Sequence, residues 1–127
     1  MTYILSISVF FIISWSCTGK KDCSKLRDGE FYYKGDSSFA GSIIKRNDSV
    51  QIVIDKKTGK RLEEKITWVD SCTYVLCPLP GTEYDSSSSD LFPITVTVLG
   101  ITKKYYTVNI TSRHDSTDFN DTVWISR

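Results

Sequence analysis

The chain has 127 residues, with 16 Lys and Arg against 15 Asp and Glu, a net charge of +1, and 40% hydrophobic residues. The two signs of charge are interleaved, so there is no basic stripe to neutralise a phosphate backbone, and nucleic acid is not an expected partner. The length suits a single domain, large enough for a core and small enough to gain from a covalent staple.

Met1 to Ser16 holds none of the acidic or basic residues, and the charge begins abruptly after it. Tyr3 to Ser16, read as a helix, reaches about 21 Å, short of the roughly 30 Å of a bilayer's hydrocarbon core. Its length fits the apolar stretch of a signal peptide, and small Ser16 before Cys17 fits a cleavage site. The expected organisation is a signal peptide over 1–16, a short polar tether over 17–25, and one β domain over 26–127.

From Phe31 onward the apolar residues recur with period two, and no stretch sustains a period near 3.6. The pattern predicts an all-β domain of eight short strands: Glu30–Lys34, Ser42–Arg46, Val50–Asp55, Glu64–Val69, Thr73–Cys77, Ile94–Leu99, Tyr105–Thr111 and Thr122–Ser126. Gly35-Asp36-Ser37-Ser38, Asn47-Asp48-Ser49 and Lys57-Thr58-Gly59-Lys60 carry tight-turn chemistry, which implies an antiparallel meander. Pro78 to Asp90 is the one long polar connection. A meander with one apolar face closes into a small barrel or flattens into a sandwich, and closure removes exposed edges, so a barrel is expected. Parity points Ile52, Ile54, Ile66, Trp68, Tyr74, Leu76, Ile94, Val96, Val98, Val108 and Ile110 inward, a set bulky enough to predict a filled core.

With Cys17 set aside, Cys23, Cys72 and Cys77 remain. Cys72 and Cys77 are five apart on one extended segment, facing opposite sides and about 16 Å apart, beyond disulfide reach. Cys23 with Cys72 is the better pair, closing a loop of about 49 residues and stabilising by about 4 kcal/mol in the chain-entropy view. The alternative is that these thiols stay free as small apolar residues.

Catalytic chemistry is not expected. His114-Asp115-Ser116 holds the residue types of a hydrolytic triad, but neighbours in one loop project apart, whereas triads assemble from distant positions. A single His and Cys-x4-Cys make a poor zinc set, so no metal and no cofactor is expected. Asp28, Glu30, Glu63, Glu64 and Asp118 read as solvated carboxylates at turns and strand ends. Trp68, Tyr74, Tyr105, Tyr106 and Trp124 read as core or cross-strand aromatics, with Tyr105 and Tyr106 splitting between the two faces. No ligand-binding residue is singled out.

Several resemblances bear on location. Ser14-Trp15-Ser16-Cys17 resembles the lipobox of bacterial lipoproteins, which implies a diacylglycerol on the sulfur of Cys17 and a membrane anchor through the N-terminal lipid; a plain secretory cleavage and an uncleaved anchor are the alternatives. Gly29-Glu30-Phe31-Tyr32-Tyr33, Ile43 to Gln51 and Trp68 to Leu76 resemble the signature of a family of small Gram-negative envelope lipoproteins, over most of residues 23–77. The opening Gly29-x-Phe31 followed by a meander is similar to lipocalin-like domains. Asp48-Ser49-Val50, Asp115-Ser116-Thr117 and Asp121-Thr122-Val123 resemble sites that some bacteria O-glycosylate. Together these imply a non-enzymatic lipoprotein of the bacterial cell envelope, facing the periplasm or the cell surface, whose β domain meets another envelope or extracellular component. The alternative is a lipocalin-like binder of a small apolar ligand.

Overall fold

Alternation of apolar and polar residues in short runs separated by turn formers is the pattern that a curved antiparallel sheet satisfies, and the chain forms one. The computed structural model describes residues 22–35, 37, 39–80, 92–114 and 116–126. Its strands are β1 (Gly29–Tyr32), β2 (Ser42–Arg46), β3 (Val50–Asp55), β4 (Arg61–Asp70), β5 (Thr73–Pro78), β6 (Ile94–Ile101), β7 (Tyr105–Ser112) and β8 (Thr117–Ile125). Each pairs antiparallel with its neighbours in the sequence, and β8 returns to β1 to close a barrel. The closing seam is short, with Phe31 opposite Ile125 and Tyr32 opposite Trp124, extended by the Ser126 amide donating to the Glu30 carbonyl.

Turn chemistry sets the hairpins. The Asn47 carboxamide oxygen accepts from the amides of Ser49 and Val50 between β2 and β3, and the Asp70 carboxylate accepts from the Cys72 amide between β4 and β5. Between β3 and β4, Gly59 takes a φ of +71° that suits glycine, donating to the Asp55 carbonyl.

Two β-bulges bend the wall. The β4–β5 register shifts between Trp68 and Asp70, and the β6–β7 register between Val98 and Gly100. In each, the extra residue turns outward: Val69 and Leu99 are the large hydrophobic residues left exposed among the described residues, at 64% and 44%. Beside the second bulge Gly100 faces Thr107, whose hydroxyl would lie 3.3 Å from any added Cβ.

The two ends of the barrel differ. Cys23–Leu26, whose first three residues fall in the expected tether, is a single 3-10 turn with Cys23 and Leu26 each 1% exposed, plugging the end at which β1 begins. Cys23 is disulfide-bonded to Cys72 in the β4–β5 turn, with Cα atoms 5.3 Å apart. Burial of Leu26 and the disulfide hold these residues in the domain, where their polar neighbours Ser24 and Lys25 had suggested solvent. Cys77 is free and exposed on β5, on the face opposite to the one parity would need for a bridge.

The core follows the expected faces on most strands: Ile66, Tyr74, Leu76, Val96, Val98, Val108 and Ile110 are buried, and Trp68 and Ile94 pack against them. β3 is the exception. Gln51 is buried and Val53 packs on the core, while Ile52 and Ile54 are half-buried on the outer face, opposite Lys45 and Ile43 of β2. Cross-strand register decides this: Arg46 opposite Gln51 and Ile44 opposite Val53 share the inner face, so the isoleucines of β3 cannot.

Candidate functional site

The inverted face of β3 creates a polar ladder inside the barrel. Arg46, Gln51 and Glu64 sit in register on adjacent strands β2, β3 and β4, and all are buried. The Arg46 guanidinium donates from Nε to the Gln51 carboxamide oxygen (2.9 Å), and the Gln51 amide donates to Glu64 Oε1 (3.3 Å). Gln51 thus links a buried cation to a buried carboxylate.

The rest of the guanidinium ties the barrel to its plug. Nη1 donates to the Leu26 carbonyl (2.8 Å), and Nη2 donates to the hydroxyls of Tyr106 (3.0 Å) and Tyr74 (3.2 Å). The same group lies 4.5 Å from the Phe31 ring centroid and 5.0 Å from that of Tyr74, a cation held among aromatic faces. Burial disfavours the charge on Arg46, but the facing Tyr106 and Tyr74 hydroxyls more than offset this and hold its pKa above the ordinary arginine value. Burial pushes the Tyr74 and Tyr33 hydroxyls well above the usual tyrosine range, so both stay neutral.

Beyond the ladder lies a cavity of about 170 Å³. Arg46, Gln51, Glu64 and Tyr74 form its base, and Leu62, Leu76, Ile94, Ser112, Thr117 and Phe119 surround the part nearer the opposite end, where β5 ends and β2, β4, β6 and β8 begin. The interior is therefore not wholly filled, contrary to the expectation from bulk: β3 contributes Gln51 and Val53 rather than two isoleucines. At the rim Phe39 packs between Tyr33 and Phe119, with ring centroids 5.2 and 6.1 Å away.

The remaining sequence candidates are dispersed. His114 is exposed and stacks on Phe92, 3.5 Å between centroids, while Asp115 lies outside the described residues, as does Cys17 with the segment before it. Asp28, Glu30 and Asp118 are exposed, as read from sequence, whereas Glu63 is half-buried and Glu64 is buried in the ladder. Among the described residues no group of His, Cys, Asp and Glu is placed to hold a metal ion. Trp68 and Tyr74 pack together inside (4.8 Å), Tyr106 is buried, and Tyr105 and Trp124 pair outside (4.8 Å). Of the O-glycosylation-like sites, Ser49 is exposed on the β2–β3 turn and Thr122 is half-buried in β8.

Sequence reading missed Arg46 and Gln51 because hydrophobicity alone set the faces of β3 and put Gln51 outside, and it read Glu64, which shares its parity with Leu62, Ile66 and Trp68, as a solvated carboxylate at a strand end. The available signal was Arg46 two residues after Ile44 at a strand end facing a tight turn, which forces Gln51 onto the same side. Comparison with protein families, curated proteins and solved structures found no match to the chain.

Proposed function

We propose that the chain is a non-enzymatic lipoprotein of the bacterial cell envelope, anchored through Cys17, whose barrel docks another protein component of the envelope or the extracellular side. The observation that supports it best is the outer face of β2 and β3. There Ile43 lies opposite Ile54, with Ile52 two residues along and Val50 beyond, all half-buried on a surface that a monomer gains nothing by making apolar. Inside, Arg46, Gln51, Glu64, Tyr74 and Tyr106 are engaged with one another and with the plug, as in a scaffold rather than a reaction centre.

A photo-crosslinking residue at position 54, in intact cells, tests this reading. A discrete adduct that disappears with Ile52→Arg, while the barrel keeps its melting temperature, is the expected result. Absence of any adduct from positions 43, 52 and 54 contradicts it.

The cavity favours a second reading, a small-ligand binder. Its 170 Å³ is comparable with the roughly 150 Å³ apolar cavities that take up benzene, and below the roughly 300 Å³ at which drug-sized pockets begin. Its ligand would be one aromatic ring or a short aliphatic chain.

A further inference from the structure

The outer face of β7 and β8 changes character along the barrel axis. From the plugged end toward the other rim, its cross-strand pairs run Tyr105 with Trp124, Thr107 with Thr122, Asn109 with Asn120, and Thr111 with Asp118. Tyr32 of β1 stacks on Trp124 at 6.5 Å, extending the aromatic level across the seam. At the polar level Asn109 donates to Asp118 (2.7 Å) and to Asn120 (3.0 Å). Ordinary amphipathic strands alternate across the sheet; here the outward residues themselves grade from aromatic to polar along it.

The aromatic level is also cationic. A groove there is lined by Tyr32, Lys34, Lys103, Lys104, Trp124 and Ile125 with Ser126, and no carboxylate stands in its wall. Lys103 and Lys104 are exposed in the β6–β7 turn, and Lys34 Nζ rests 3.5 Å from the Trp124 ring centroid. Glu30, next on this face of β1, lies in register with Lys45 of β2.

We infer that this aromatic and lysine-rich rim of the plugged end lies on an anionic bilayer surface. Trp and Tyr rings favour the headgroup level, where an apolar body and a polar edge are both satisfied, and lysines beside them gain from negative headgroups. A sugar-stacking platform fits less well, because Lys34 caps one face of Trp124 and Tyr105 packs 4.8 Å from it. The inference rests in part on the anchor at Cys17. Asp22 is five positions on from Cys17, a reach of at most about 17 Å, so a lipid there holds the plugged end beside the membrane, while the far rim stands off by β8, roughly 30 Å of strand. The bilayer and the gradient then share one axis.

The test separates the rim from the anchor. The plug, the disulfide and all eight strands lie within residues 22–126, so a chain exported with a replaceable leader and beginning at position 17, with Cys17→Ser, holds the whole fold without a lipid. In flotation at low salt it should rise with phosphatidylcholine vesicles containing phosphatidylglycerol and not with phosphatidylcholine alone. Lys103→Gln with Lys104→Gln, both turn residues, should lower that partition on the order of 30-fold at an unchanged melting temperature. A headgroup-level quencher should dim the fluorescence that Trp124→Phe removes, leaving that of Trp68. Failure to float with anionic vesicles, or flotation indifferent to the lysines, overturns the inference, and so does binding to a soluble anionic glycan in preference to vesicles. Loss of the anchor alone would appear only as missing acylation of the native protein and would leave these results standing.

Discussion

Arg46 joins more of the molecule than any other side chain described: it reaches Gln51 on β3, the Leu26 carbonyl of the plug, and the hydroxyls of Tyr74 on β5 and Tyr106 on β7. Removing it strands several buried polar groups at once, so Arg46→Ala should destabilise the barrel by about 3–5 kcal/mol, measured by urea unfolding. Arg46→Lys should recover little of this, since one ammonium cannot reproduce a planar fork of donors. The tyrosines add a pH dependence of defined sign. Tyr33 and Tyr74 have pKa values raised above the ordinary 10.0 by burial, so they are neutral in both folded and unfolded chains below about pH 10, and their contribution is fully present there. As pH rises above 10 the unfolded chain ionises first, and stability falls. Tyrosinate absorbance should therefore show these two tyrosines ionising only as the far-ultraviolet signal of the barrel is lost.

At the scale of the strand, β3 carries the sharpest contrast. Val53 faces the core and Ile54 faces out, so Val53→Lys should cost more than about 3 kcal/mol while Ile54→Lys costs less than about 1 kcal/mol, and equal costs would place β3 the other way round. This is also where sequence reading fails. Period two in Val50–Asp55 is unambiguous, but Val50, Ile52 and Ile54 are greasier than Gln51, Val53 and Asp55, and hydrophobicity alone chose the wrong side. Register with β2 decides, and register is a long-range property that no single strand encodes. On β7, where Val108 and Ile110 alternate with Thr107 and Asn109, composition and register agree, and the inward face was legible directly. The start of β8 was hidden for a different reason: Asp118, Asn120 and Asp121 are poor strand formers, and pairing with β7 from Thr117 onward overrides them. Cys23 with Cys72 was legible because parity disqualified Cys77. That bridge pins the plug, so reducing it should lower the unfolding free energy by about 4 kcal/mol, the loop-closure entropy of a sequence separation of 49.

As a whole the molecule has a plugged end and an opposite end toward which its cavity lies. If that cavity admits guests, indole or benzene should raise the melting temperature, and Val53→Phe should abolish the shift by filling the space; a shift that survives Val53→Phe would place the guest elsewhere. Under the proposed anchoring at Cys17, the plug turns toward the membrane and the isoleucine face of β2 and β3 lies at the side. The proposed anchoring rests on Cys17 carrying lipid. Metabolic labelling with a fatty-acid analogue, followed by membrane fractionation of native protein and of Cys17→Ser, measures it directly. Label on the native chain, with label and membrane association both lost in Cys17→Ser, is the predicted result; a Cys17→Ser protein that stays in the membrane fraction through an uncleaved N-terminal segment, or a native chain that takes no label, contradicts it.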